Sequence, residues 1–142
     1  MGGSGRIFEI LKGSMKKTLF FRFFYKIYPP ITRWVEKMGF HKDRQPFLLG
    51  CIRKKYSPSD FKRYLEECGF EHDVLAWKDS GEVLSMRKVD KKDFQYHVRL
   101  FKNGEIRCHY EYVPENHPFY HFFAKYFKAR KRCFKKLLKD FI

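Results

Sequence analysis

Residues 94–112 read FQYHVRLFKNGEIRCHYEY, two alternating segments on either side of Asn103-Gly104, and this pattern predicts a β-hairpin. Such a turn allows two registers, and a slip of one residue exchanges the two faces of the hairpin. A two-residue loop would leave both faces mixed. A three-residue loop, Lys102-Asn103-Gly104 with the glycine in a left-handed bulge, separates an apolar face from a polar one. We therefore predict the three-residue loop.

The polar face of this hairpin places like residues opposite one another. Its predicted pairs are Gln95 with Glu111, His97 with His109, Arg99 with Arg107, and Phe101 with Glu105. Like charges directly opposed in a sheet are destabilising, so the two arginines need a compensating partner. An anion held between Arg99 and Arg107 would be one. The alternative is a solvated face on which the arginines splay apart or pair with Glu105 and Glu111.

Three further strands are predicted before the hairpin. Residues 47–53 form a short apolar run that is typical of a buried strand. Residues 74–78 and 83–89 are rich in β-forming residues and are separated by turn signals. Together with the hairpin they predict an antiparallel meander.

One helix interrupts this series of strands. Ser57 and Asp60 have the spacing of a capping box, and Pro58 fits the first helical position. Gly69 ends the helix after a single apolar stripe.

Both ends of the chain are basic and aromatic. Residues 7–28 predict a helix that Pro29-Pro30 ends, and residues 31–38 predict a short second helix. Residues 118–141 predict a cationic amphipathic helix whose aromatic stripe packs on the apolar face of the sheet.

These elements predict an α+β fold. It is an antiparallel β-meander of about four to five strands with one inserted helix, N-terminal helices and a C-terminal basic amphipathic helix packed on one sheet face. Residues 1–5 are linker-like or a remnant of cloning, and residues 6–45 are a basic aromatic helical extension. Residues 46–142 are expected to form a single α+β domain that ends in the basic helix.

The charge of the chain is concentrated at its two ends. Its formal net charge is +15, and the excess is +7 over residues 1–45, +1 over residues 46–116 and +7 over residues 117–142. A strong positive charge points to polyanionic partners, and the 20% content of aromatic residues excludes a disordered chain. The four cysteines form no C-x-x-C pair, so we expect reduced thiols and a cytoplasmic protein, with a membrane-peripheral location as the alternative.

The first functional hypothesis is a non-enzymatic nucleic-acid-binding protein, with RNA favoured. The residues that we expect to bind nucleic acid or another anion are basic or titratable: His97, Arg99, Arg107, His109, Lys128 and Arg132. Arginines would contact phosphates, while Phe101 or Tyr120 would offer planes on which bases stack. Salt-dependent affinity would follow, because neutralised phosphates release counterions.

Two other hypotheses use the same residues differently. Cationic aromatic helices over residues 19–31 and at the C-terminus are typical of a peripheral protein on an anionic membrane surface. The N-terminal aromatic helix could instead meet a protein partner. A metal-independent ribonuclease or phosphodiesterase would use His97, His109 and Glu111 as its catalytic candidates, because proton donors and acceptors beside cations suit that reaction.

We expect no metal and no cofactor. His97, His109 and Glu111 have the right ligand types, as do His117 and His121, but the cationic side chains of Arg99 and Arg107 would repel a metal ion. No phosphate-binding loop, dinucleotide fingerprint, nucleophile elbow or ribonucleoprotein motif is present in the sequence.

Overall fold

The computed structural model of the chain describes residues 4–39, 46–73, 75, 79–118, 120 and 128–142, and within residues 4–21 it describes only the side chain of Leu19. These residues form an α+β fold whose elements are α1 (Ser4–Lys37), β1 (Phe47–Cys51), α2 (Pro58–Glu67), β2 (Glu71–His72), β3 (Glu82–Asp90), β4 (Phe94–Phe101), β5 (Glu105–Tyr112) and α3 (Lys131–Leu138). The strands form one antiparallel sheet in the order β1-β5-β4-β3-β2. The predicted fold class is confirmed.

The hairpin of β4 and β5 has the predicted register. His97 lies opposite His109, Arg99 lies opposite Arg107, and the ladder runs from the Phe94–Tyr112 pair to the Leu100–Ile106 pair. Gly104 has a φ angle of +86°, which places it in the left-handed conformation that the three-residue loop requires. The two faces of the hairpin are therefore separated as the alternation predicts.

Helix α2 begins and ends where the sequence predicts. The Ser57 hydroxyl accepts a hydrogen bond from the Asp60 backbone at 3.1 Å, and the Asp60 carboxylate accepts one from the Ser57 backbone at 3.0 Å. This reciprocal pair is a capping box, and it satisfies two of the backbone N–H groups that a helix start leaves unpaired. Gly69 follows the helix at a φ angle of +84°.

The apolar face of the sheet packs against α2 and α3 and forms the main core. The fully buried side chains that meet there include Phe61 and Leu65 of α2 and Phe134 and Leu138 of α3. Their partners on the sheet include Val98 of β4, with no exposed surface. The prediction that a C-terminal basic helix covers one sheet face is confirmed.

Helix α1 differs from its prediction in length. It starts at Ser4, inside the segment predicted as linker-like, and passes through Pro29 and Pro30 to Lys37. Prolines remove helical hydrogen bonds and normally end or kink a helix. Tyr28 and Thr32, one turn apart on either side of the prolines, are both buried, so tertiary contacts hold the helical path there. The predicted break at Pro29-Pro30 is wrong.

The C-terminal helix is shorter than predicted. Lys128 forms an isolated β-bridge with Tyr110, and each backbone N–H donates to the other residue's carbonyl at 2.7 Å. Strand β1 pairs only with the first half of β5, so the edge of β5 at Tyr110 is left to pair with Lys128. The helix therefore starts only after Arg130. Residues 119 and 121–127 of this prediction lie outside the described residues.

The second predicted strand, residues 74–78, lies outside the described residues except for Leu75. Among the described residues, the strand that pairs with β3 on this side is Glu71–His72, opposite Arg87 and Met86.

Candidate functional site

The polar face of the hairpin is buried. His97 is 3% exposed, His109 5%, Glu111 3% and Arg99 8%. The interpretation of this face as solvated is therefore wrong, because residues before β3 and after β5, such as Asp73 and Glu115, pack against it. Leu75 in one of them is buried, and its backbone donates to the Asp73 carboxylate at 3.0 Å.

Each of the two opposed arginines has its own carboxylate. Arg99 contacts Asp79 at 2.5 Å and Glu82 at 3.3 Å. Arg107, which is more exposed, contacts Glu105 at 2.8 Å. These ion pairs turn the guanidiniums apart and remove the need for an anion between them.

A third guanidinium on this face was not singled out in the sequence. Arg87 of β3 is buried and contacts Glu115 at 2.7 Å and Glu71 at 3.1 Å. Burial alone would lower the pKa of Arg87, but the carboxylates of Glu115 and Asp73 raise it above its usual range. Arg87 therefore stays charged inside the fold.

The two histidines and Glu111 form the centre of the buried polar face. His97 Nδ1 lies 3.1 Å from His109 Nε2, and His109 Nε2 lies 3.0 Å from Glu111 Oε1. The opposite nitrogen of His97 lies 3.2 Å from Asp73 Oδ2 and 2.7 Å from the Ser85 hydroxyl. The three catalytic candidates are thus brought together, but inside the protein rather than on its surface.

Helix α1 is attached to the segment that follows β5. The Tyr25 hydroxyl donates to Glu115 at 3.4 Å, and the Tyr28 hydroxyl donates to the Pro118 carbonyl at 3.3 Å. Burial and the nearby Glu115 carboxylate raise the pKa of Tyr25. Tyr25, Tyr28 and Thr32 therefore mark the side of α1 that faces the rest of the protein.

A different side of α1 exposes large apolar side chains. Leu19 is 65% exposed, Phe23 63% and Trp34 61%. The residues of this apolar stripe recur every three or four positions: Leu19, Phe23, Ile27, Ile31, Trp34 and, directly after the helix, Met38. Since successive helical residues are turned by about 100°, the stripe covers an arc of about 120°. A large exposed apolar patch is typical of an interaction surface.

A basic stripe runs beside the apolar stripe of α1. Its four exposed residues are Arg22, Lys26, Arg33 and Lys37. At about 100° per residue they occupy an arc of about 60° that adjoins the apolar stripe. Pro29, Pro30, Arg33, Trp34 and Lys37 together line a concave surface in which cations and an indole ring lie side by side.

Helix α3 exposes charge without large apolar side chains. The residues of this basic surface are Lys131, Arg132, Lys135, Lys136 and Lys139. Of the predicted anion-binding residues, Arg132 and Lys128 are exposed here, whereas His97, Arg99 and His109 are not.

The remaining predicted residues are scattered. His117 contacts Asp93 at 3.0 Å and stacks on Tyr120, whereas His121 lies outside the described residues. Phe101 packs beneath the Arg107 guanidinium at 5.5 Å. Asp73 and Glu115 belong to no periodic pattern, so their place in this cluster could not be predicted from the sequence.

No helix in the described part of the chain is both long and apolar enough to cross a bilayer. No known protein family, curated protein or solved structure matches this chain.

Proposed function

We propose that the protein binds the surface of anionic membranes through helix α1. The single observation that supports this proposal is the apolar stripe of α1, six exposed side chains beside four basic ones. An interfacial helix lies in the membrane plane with apolar side chains among the acyl chains and basic side chains at the phosphates. Trp34 suits such a position, since tryptophan is enriched at the level of the headgroups.

The dimensions of the stripe suit this role. From Leu19 to Met38 the helix rises about 1.5 Å per residue, so the stripe extends for about 28 Å. Tyr25 and Tyr28 hold the opposite side of the helix against the protein, so the domain does not cover the stripe. The helix would lie flat beneath the domain on the membrane.

Charge complementarity favours an anionic lipid surface over a second copy of the chain. Each basic residue close to such a surface contributes about 1 kcal/mol of attraction. A second copy would bring the basic stripes Arg22, Lys26, Arg33 and Lys37 near one another, and like charges repel.

Cosedimentation with vesicles tests the proposal. We expect binding to vesicles that contain phosphatidylserine, weaker binding to pure phosphatidylcholine, and a loss of affinity as salt rises. A protein that stays in the supernatant with anionic vesicles at low salt would contradict the proposal.

Nucleic-acid binding is a second candidate, and the basic surface of α3 favours it. Five exposed basic residues on nine consecutive positions would follow a phosphate backbone, whereas the buried His97 and Arg99 would not reach one. RNA titrations of Lys135→Glu and of Trp34→Glu separate the two functions. If α3 binds RNA, only Lys135→Glu should lose RNA affinity. Equal RNA affinity in both variants, unchanged by salt, would eliminate this candidate function.

The burial of His97 and His109 does not favour the ribonuclease hypothesis. Acid–base catalysis requires His97 and His109 to reach a phosphodiester. Both rings are buried beneath the segments that cover the polar face.

A further inference from the structure

Three donor atoms converge at the centre of the buried polar face. His97 Nδ1, His109 Nε2 and Glu111 Oε1 are separated by 3.1, 3.0 and 4.0 Å. The point in their plane that is equidistant from all three lies about 2.0 Å from each, which is the length of a zinc–nitrogen or zinc–oxygen bond. We propose that His97, His109 and Glu111 bind a zinc ion.

Hydrogen bonds alone do not account well for the short contacts among these three side chains. His109 Nε2 meets both His97 Nδ1 and Glu111 Oε1 at about hydrogen-bond distance. An imidazole nitrogen carries either one proton or one lone pair, so a single N–H would have to be shared between two acceptors. A metal ion accepts the lone pairs of both rings and of the carboxylate at once.

The groups behind these three side chains are those of a second coordination shell. His97 turns its other nitrogen to the buried Asp73 carboxylate at 3.2 Å. Gln95 donates to Glu111 Oε1 at 3.1 Å, and Arg87 lies 3.5 Å from the Gln95 oxygen. A histidine that binds a metal commonly donates its second N–H to a carboxylate, which fixes both the tautomer and the ring orientation.

The charges of the buried polar face favour a cation. Four carboxylates in the described part of this face are at most a tenth exposed: Asp73, Glu82, Glu111 and Glu115. Two equally buried guanidiniums oppose them, those of Arg87 and Arg99. Buried charges are costly unless they are balanced, and a divalent cation bound at Glu111 would offset part of the negative charge of these carboxylates.

The repulsion that led us to expect no metal is weak in the structure. Arg99 is neutralised by Asp79 and Glu82, and Arg107 by Glu105. Both positive charges are therefore paired with carboxylates that are not ligands of the proposed ion.

The donor types favour zinc. Two imidazoles and one carboxylate are the ligand types that zinc accepts in sites where a water molecule completes its coordination. Calcium and magnesium prefer oxygen ligands only, so a site with two nitrogens selects against them.

Titration of the EDTA-treated full chain with zinc tests the site. We expect one Zn²⁺ per chain by calorimetry and a rise in melting temperature, because a ligand of the folded state stabilises it. Co²⁺ in place of Zn²⁺ should give the intense visible absorption of a four-coordinate ion. A folded chain that binds neither ion, or a pale six-coordinate Co²⁺ spectrum, would overturn the proposal.

Single substitutions test which side chains bind the zinc ion. Glu111→Gln and His97→Gln should each weaken zinc binding at least 10-fold, and Asp73→Asn, which removes only the second-shell carboxylate, about 10-fold to 100-fold. The matched control is His117→Gln, which removes a histidine that contacts Asp93, Tyr112 and Tyr120, and it should bind as the original chain does. Unchanged affinity in all three test variants, or an equal loss in His117→Gln, would refute the assignment. If the ligand variants fail to fold, the Co²⁺ spectrum of the original chain decides.

Discussion

Helices α1 and α3 are both basic and aromatic in sequence, yet they place their apolar side chains in opposite environments. In α3, Phe134 and Leu138 are fully buried in the core, so the large side chains that it exposes are charged. In α1, Phe23 and Trp34 are exposed beside the basic stripe. The difference shows that α3 exposes mainly charge, whereas α1 exposes charge together with large apolar side chains.

The largest expected difference between the two helices is in stability. Phe134→Ala would leave a cavity beside Phe47 and Tyr96 and lower the free energy of unfolding by about 3–5 kcal/mol. Trp34→Ala, at an exposed position, should change it by no more than about 0.5 kcal/mol. Urea denaturation followed by circular dichroism measures both, and equal losses would mean that α1 is part of the core.

The second expected effect is on vesicle binding. Phe23→Ser combined with Trp34→Ser removes two side chains whose full burial would contribute about 1.5–3 kcal/mol each, so binding should weaken at least about 100-fold. Leu48→Ser combined with Val89→Ser is the matched control, since both residues are exposed but lie on strands of the sheet. Comparable losses in the two double variants would contradict a role specific to α1.

A smaller effect is expected from the basic surface of α3. Lys135→Glu combined with Lys136→Glu should weaken binding to anionic vesicles by about 10-fold at low salt, since each charge near the surface contributes about 1 kcal/mol or less. The difference from the original chain should vanish at high salt, because salt screens exposed charges. A loss that persists at high salt would show that α3 contributes more than charge.

The smallest effect concerns the attachment of α1. Tyr25→Phe removes the hydroxyl that donates to Glu115 and should cost about 0.5–1.5 kcal/mol. Because the pKa of Tyr25 is raised from 10.0, its contribution to stability is complete below pH 10.0 and is lost as pH rises through the higher value of the folded state. Across this pH range, the free energy of unfolding should fall more steeply with rising pH for the original chain than for Tyr25→Phe. Parallel curves would exclude this linkage.

The hairpin was predictable from the sequence because its alternation is strict. Only the three-residue loop separates apolar from polar residues, and the structure has that register at His97–His109 and Arg99–Arg107. The capping box at Ser57 and Asp60 was equally readable, since it depends on neighbours three residues apart.

Features that depend on distant contacts were not predictable in this way. The helix through Pro29 and Pro30 depends on the burial of Tyr28 and Thr32, and the early end of the predicted C-terminal helix depends on the bridge between Lys128 and Tyr110. Local sequence preferences carry no information about either of these contacts.

The candidate zinc site, likewise, was predictable from the sequence only in part. The sequence placed His97 opposite His109 beside Glu111, because all three belong to one hairpin. It did not reveal that Asp73 would stand behind His97, or that this face would be buried. Those facts come from segments that fold over the sheet from elsewhere in the chain.

The insertion of Trp34 into a lipid surface is the most direct test of the proposed function. The variant Trp77→Phe leaves Trp34 as the only tryptophan, so its fluorescence reports on α1 alone. Anionic vesicles should shift its emission to shorter wavelength, and quenchers attached to lipid acyl chains should reduce the signal, because the indole leaves water. Unchanged emission in the presence of these vesicles at low salt would contradict the account.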